Sequence, residues 1–187
     1  MESVLIVSNT PSTMRVISAF LSSEPLGRIV SSTNGAEARR TFLESEFDLV
    51  IIDSPLPDEE GSDLSIHVSE SSAVIVITDE ERLLDMAYTV EDSGVCAVPR
   101  NVEPDFFHQI VRLLMTSRRR VQKLEEENRR LQLKIEELRL VDRAKCVLIQ
   151  VLKMSESQAH RYIEKQSMDL RLSKIAVAEN VLRTYER

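Results

Sequence analysis

Between Asp105 and Arg187 the chain contains neither glycine nor proline, and nothing else in it restricts the fold as much. A stretch of that length without a backbone breaker is a helical region, interrupted only where side chains cap and turn the chain. Its first part carries a heptad pattern. With Leu114, Val121, Asn128 and Ile135 at position a, position d is filled by Ile110, Ser117, Leu124, Leu131 and Leu138, a register kept for about four heptads. A lone Asn128 at a costs stability but can pair with its twin across a parallel two-stranded seam, and β-branched a residues with Leu at d favour two strands. The expected state is a parallel homodimer. Arg120 at g faces Glu125 at e of the partner and supports this register, whereas Lys134 and Arg139 in the next heptad repel. The alternative is a seam that packs on its own protomer. Pro104 suits a helix's first turn, so one helix is expected to start there and run through the seam.

Beyond position 140 the apolar pattern widens to Val141, Ala144, Val147, Leu148, Val151 and Leu152, a stripe too broad for a dimer seam alone. Two further helices must cover it. Ser155 reads as the cap of the first, which would turn Ala159, Tyr162, Ile163 and Met168 inward; Ser173 reads as the cap of the second, with Ile175, Ala176, Val177, Val181 and Leu182 facing the core. The surface left over is cationic: Arg143, Lys145, Arg161, Lys165, Gln166, Arg171 and Lys174. Any one of these is a solvated side chain by default, but as a set they form a basic face.

Charge is divided unevenly along the 187 residues. Residues 1–103 hold six basic residues, all Arg, against nineteen acidic ones, a net of −13, and residues 104–187 hold eighteen against twelve, a net of +6. Phosphate backbones are repelled by the first half and attracted by the second, so a nucleic acid belongs on the second. The acidic half alternates β-branched runs (Ser3–Val7, Arg28–Ser31, Asp48–Ile52, Ala73–Ile77 and Val95–Val98) with helical patterns near 11–22, 35–45, 61–68 and 80–92. Five β-then-α units imply a doubly wound parallel sheet, α/β in class, whose site lies at the carboxyl ends of the strands. Those ends supply Asp53, Ser8, Asn9, Thr78 and Arg100. The expected organisation is therefore 1–103 for the α/β domain, 104–140 for the coiled coil and 141–187 for a three-helix head.

The first hundred residues resemble a response-regulator receiver domain. Asp48-Leu-Val-Ile-Ile-Asp53 is followed by Pro57 and Gly61 at the spacing of the phosphoacceptor motif, and Ile75-Val-Ile-Thr78 matches the fourth strand. The resemblance implies Asp53 as phosphoacceptor and a histidine kinase as donor. Yet receivers carry an acidic pair after the first strand to hold Mg²⁺, where this chain has Ser8 and Asn9, and Lys-Pro after the fifth, where it has Arg100 and Asn101. Phosphoryl transfer needs positive charge over the equatorial oxygens. With one carboxylate in place of three, Mg²⁺ affinity should fall sharply, and Arg100 is expected to form a bidentate pair with Asp53. Ala97 stands where receivers place an aromatic toggle. The expectation is a pseudo-receiver not switched by ordinary phosphorylation, with no cofactor, controlled by a regulatory partner protein docking on its acidic surface or by protein abundance.

The last 45 or so residues resemble the ANTAR domain, the RNA-binding output module of bacterial transcription antiterminators, through Asp142-Arg-Ala-Lys145, Ser155-Glu-x-x-Ala159, Gln166-Ser-Met168 and Val177-Ala178. This implies RNA contacts through Arg143, Lys145, Arg161, Gln166, Arg171 and Lys174, packing roles for Ala144, Ala159, Met168 and Ala178, and paired leader-mRNA stem-loops as the ligand. Cys146 departs from the family's small residue and adds volume there. The implied function is antitermination by a homodimer, without turnover.

Other readings are a phosphorylation-dependent regulator with the same output, a DNA-binding regulator, and a protein-interaction adaptor whose working surface is the coiled coil. An enzyme fits poorly. His67, His108 and His160 are scattered, no glycine-rich phosphate loop occurs, and Cys96 and Cys146 lack metal-ligand spacing. Two distant cysteines and strand-sized apolar runs suggest reduced thiols, no membrane span and a cytoplasmic protein.

Overall fold

The computed structural model describes residues 2–21 and 26–185; position 22 of the first helical expectation and the last two residues of the helical tail lie outside them. The described residues form two compact units, 1–121 and 122–187.

In the first unit, β1 (Glu2–Val7), β2 (Leu26–Ser32), β3 (Leu49–Asp53), β4 (Ala73–Thr78) and β5 (Cys96–Pro99) form one parallel sheet in the order β2-β1-β3-β4-β5. Strands buried on both faces are continuous apolar runs, and β3 and β4 are buried at every position. Alternate side chains divide between two cores. Leu5, Val7, Val50, Ile52, Val74 and Val76 meet α2 (Gly35–Glu44), α3 (Ser62–Ser69) and α4 (Glu80–Val90), while Val4, Ile6, Leu49, Ile51, Ile75 and Ile77 meet α1 (Pro11–Leu21) and the start of α5.

The helix α5 runs without interruption from Pro104 to Leu152, 49 residues. Its opening turns bury Phe107, Val111 and Met115 against the sheet, with Phe107 also 5.6 Å from the Phe20 ring between centroids. Leu114 and Ile110, read as seam positions, are partly buried in this same core. An i, i+3, i+4 stripe cannot distinguish a sheet from a partner helix where the two surfaces follow one another. Farther along, Val121, Leu124, Leu131, Ile135 and Leu138 are 42–63% exposed, and Asn128 is exposed with them. Among the described residues, nothing covers that part of the seam.

In the second unit, the end of α5 packs with α6 (Glu156–Leu170) and α7 (Lys174–Tyr185) around Ala144, Leu148, Ala159, Ile163, Val177, Ala178 and Val181. The Ser155 cap is a reciprocal box: its hydroxyl accepts from Gln158 N at 3.3 Å while Gln158 Oε1 accepts from Ser155 N at 2.8 Å. Ser173 Oγ accepts from Ala176 N and caps α7. Three inward expectations fail. Met168 is 71% exposed, and Val151 and Leu152 are 50% and 40% exposed. Met168 lies in the last turn of α6, and Val151 and Leu152 occupy the last turn of α5; the three-helix core closes without them.

Candidate functional site

Parallel register brings the receiver pocket together. Ile52 lies beside Val7 and Asp53 beside Ile77, so Ser8 and Thr78 follow directly at the strand ends, and Pro99 opposite Thr78 delivers Arg100. Asp53 is 3% exposed. Its Oδ2 accepts from Ser8 Oγ at 2.7 Å, and its Oδ1 accepts from Arg100 Nη1. The expected bidentate pair does not form, because the guanidinium divides its donors: Nε goes to Asp79 Oδ1 at 2.9 Å and Nη2 to the Ser54 carbonyl at 2.8 Å. Asp79 precedes α4, and adjacent Asn101 donates to Glu80 on that helix. Arg100 thus ties the end of β5 to both β3 and α4. Asn9 is exposed, and its Oδ1 accepts from Thr10 Oγ1 at 3.1 Å rather than engaging Asp53. The Thr78 hydroxyl is buried without a hydrogen-bond partner.

This donor set does not suit Mg²⁺. A hard divalent ion needs several oxygen donors, and both oxygens of the one carboxylate here are already engaged, one of them by a cation. No group of three His, Cys, Asp or Glu side chains able to hold a metal occurs among the described residues.

The loop after Asp53 is held by α2 and α4. Asp58 accepts from the Gly35 and Ala36 amides at 2.9 Å each, capping α2; Glu59 pairs with Arg39, and Glu60 with Arg82 at 2.9 Å. The amides of Gly35, then Ala36, hold the Asp58 carboxyl below its ordinary pKa. Gly35 permits the approach, since a Cβ there would lie 1.8 Å from Glu59 Oε1. Gly61 ends the loop at φ 88°, a conformation that favours glycine, facing Ile52.

On the helical head, Arg143, Arg161, Lys165 and Arg171 are exposed and Gln166 is half-buried. Lys145 is more enclosed, its side chain 16% exposed and its ammonium 2.7 Å from Asp142 and 3.8 Å from Glu156, a bridge from α5 to α6. Lys174 likewise joins α7 to α6 through Glu164 at 2.9 Å, which lowers the Glu164 pKa. These two cations therefore have packing partners as well as a place on the basic face. Asp142, one helical turn from Lys145, was legible as a partner; Glu164 and Glu156 were not, because their pairing depends on how the helices turn. Cys146 is exposed and crowds no helix, and Ala144 takes the close contact.

The sequence matches the response regulator receiver domain family over residues 4–112 and the ANTAR domain family over residues 129–182. It is 30% identical over 155 residues to the transcriptional regulatory protein PdtaR of Mycobacterium tuberculosis, in both strain CDC 1551 and strain H37Rv, covering 81% of this chain and 75% of the relative. The chain is an ANTAR-type response regulator. The fold agrees. A CheY-like receiver domain protein from Methanospirillum hungatei superposes with a TM-score of 0.58 at 17% identity, covering 64% of this chain and 98% of that one. The signal receiver domain of an HD domain-containing protein from Pseudomonas fluorescens gives 0.59 at 16% identity, covering 65% and 92%. The ANTAR match begins within α5, upstream of the three-helix core. This regulator family is one of transcriptional control rather than of catalysis. No helix among the described residues is long and apolar enough to cross a membrane.

Proposed function

We propose that this ANTAR regulator is a cytoplasmic homodimer that binds paired stem-loops in nascent leader RNA and holds an antiterminator hairpin against its competing terminator. The observation that carries this reading is the ANTAR head itself, a closed three-helix core that leaves Arg143, Arg161, Lys165 and Arg171 outside. Guanidinium planes stack on unpaired bases and pair with phosphates, so affinity should depend strongly on salt. The uncovered α5 seam supports a parallel dimer, and two tethered heads gain avidity on two hairpins. The receiver works as a fixed docking domain, since Arg100 already neutralises Asp53. Its input is a regulatory partner protein on the acidic surface.

Sequencing the RNA that co-purifies with the full chain tests the reading and identifies the target; enrichment of two-hairpin leaders is the expected result. One observation favours a second reading, in which a histidine kinase phosphorylates Asp53. The unpartnered Thr78 hydroxyl could donate to a phosphoryl oxygen. A stable aspartyl phosphate after treatment with acetyl phosphate, read by intact mass, would select that reading.

A further inference from the structure

The groove between α6 and α7 differs in character from the rest of the head. It is a cleft of about 120 Å³ bordered by Tyr162, Gln166 and Leu170 from α6 and by Asn180, Thr184 and Tyr185 from α7. Its floor is Val177 and Val181, 3% and 5% exposed. Tyr162 and Tyr185, both half-buried, line this cleft. The Gln166 and Asn180 side-chain amides take part in no hydrogen bond among the described residues, whereas the Thr184 hydroxyl is already used on the Asn180 carbonyl at 2.8 Å.

We propose that this cleft is a binding site for one unpaired nucleobase of the RNA. The proposal rests on the RNA-binding function and deepens it, by assigning the part of the head that reads sequence. An apolar floor and two phenol rings suit a flat aromatic ligand, and base–aromatic stacking contributes about 1–3 kcal/mol per base. A side-chain amide offers a donor and an acceptor side by side, the pattern that a base edge presents in return. Among the described residues no cation lines the cleft, so its lining suits a base better than a phosphate. Arg161, Lys165 and Arg183, exposed and adjacent in sequence to lining residues, are placed to hold the backbone of a nucleotide inserted there. Contacts then divide by role: the cations position the RNA and the cleft specifies a base.

The test is selection of hairpin RNAs with randomised loops by the full-length chain, compared with Gln166→Ala and Asn180→Ala, each verified as folded by circular dichroism. The wild-type chain should enrich one base at one unpaired position by roughly tenfold, the worth of a single well-formed base contact. In both variants that enrichment should fall to parity at that position alone, and affinity for the hairpin carrying the preferred base should fall by about the same tenfold. A 5-iodouridine placed at that position should crosslink to Tyr162 or Tyr185. An unchanged base preference in both variants overturns the proposal, as does a uniform loss of affinity without positional change. Failure of the wild-type chain to retain any hairpin at low salt would instead remove the RNA-binding reading, and the cleft's role with it.

Discussion

Arg100 donates through Nη1 to Asp53, occupying one oxygen of the carboxylate that defines a receiver domain, while Ser8 occupies the other. A carboxylate only 3% exposed is stable only with such partners. Arg100→Ala would leave it with one hydroxyl. Removing one partner of a fully buried pair costs about 3–5 kcal/mol, but the Arg100 side chain is 40% exposed, so the expected loss is about 1–3 kcal/mol. Urea unfolding should show it. Asp53→Asn in the same background should restore part of the stability, because a neutral amide needs no cation; an equal cost of Arg100→Ala in both backgrounds would rule out the pair as its source.

Acid should loosen the loop beside this pocket. The Asp58 carboxyl has a folded pKa lowered by the Gly35 and Ala36 amides. A lowered carboxyl pKa gives stability that is fully present above the ordinary value of about 3.9 and is lost as pH falls from there through the folded value. Glu37, lowered chiefly by the Thr33 amide, titrates in the same direction. Asp58→Ala should therefore melt lower than the wild-type chain near neutrality and converge with it in acid. Melting temperature against pH, measured on both, reads the difference; parallel curves would show that Asp58 is not a cap that matters to stability.

The receiver fold and the three-helix head were legible because each rests on periodic burial, which sequence records directly. The five strands, the caps at Ser155 and Ser173 and the single helix from Pro104 follow from local chemistry. The errors share a physical cause. Met168, Val151 and Leu152 are apolar residues at ends of helices, and period alone does not say where a neighbouring helix stops covering them. Leu114 lies on a stripe whose opening turns pack on the sheet-side core, a surface that the period alone does not specify. The division of Arg100 among Asp53, Asp79 and Ser54 depends on how far β5 is set from α4, a distance that spacing along the chain does not encode. The α6–α7 cleft was invisible for the same reason, since Gln166 and Asn180 meet only through the crossing of two helices.

Dimerisation should depend on the exposed half of the seam. Leu124 and Leu131 are 63% and 52% exposed in the single chain, so Leu124→Glu with Leu131→Glu should leave both compact units folded while abolishing the dimer in sedimentation velocity. Asn128→Leu should act differently. Removing the polar a position raises stability and relaxes the choice of register and strand number, so thermal stability should rise while the species become heterogeneous. A wild-type chain that sediments as a monomer at micromolar concentration would end the dimer reading.

Arg171 allows charge and backbone to be separated at the RNA face. It ends α6 in the left-handed region, φ 53°, with its amide bonded to the Met168 carbonyl. A side chain in that conformation costs about 1–2 kcal/mol, and glycine removes the strain while adding back about 0.5–1 kcal/mol in unfolded-state freedom. Arg171→Gly should therefore melt at the same temperature as the wild-type chain or slightly higher, even as it loses a cation. If that cation contacts a phosphate, the slope of log affinity against log salt should fall by about 0.7–0.9, as it should for Arg161→Ala on the exposed face of α6. Arg171→Ala removes the charge but keeps the strain, so it should match Arg171→Gly in salt slope and the wild-type chain in stability. A slope unchanged in all three variants would move the RNA to another face of the head.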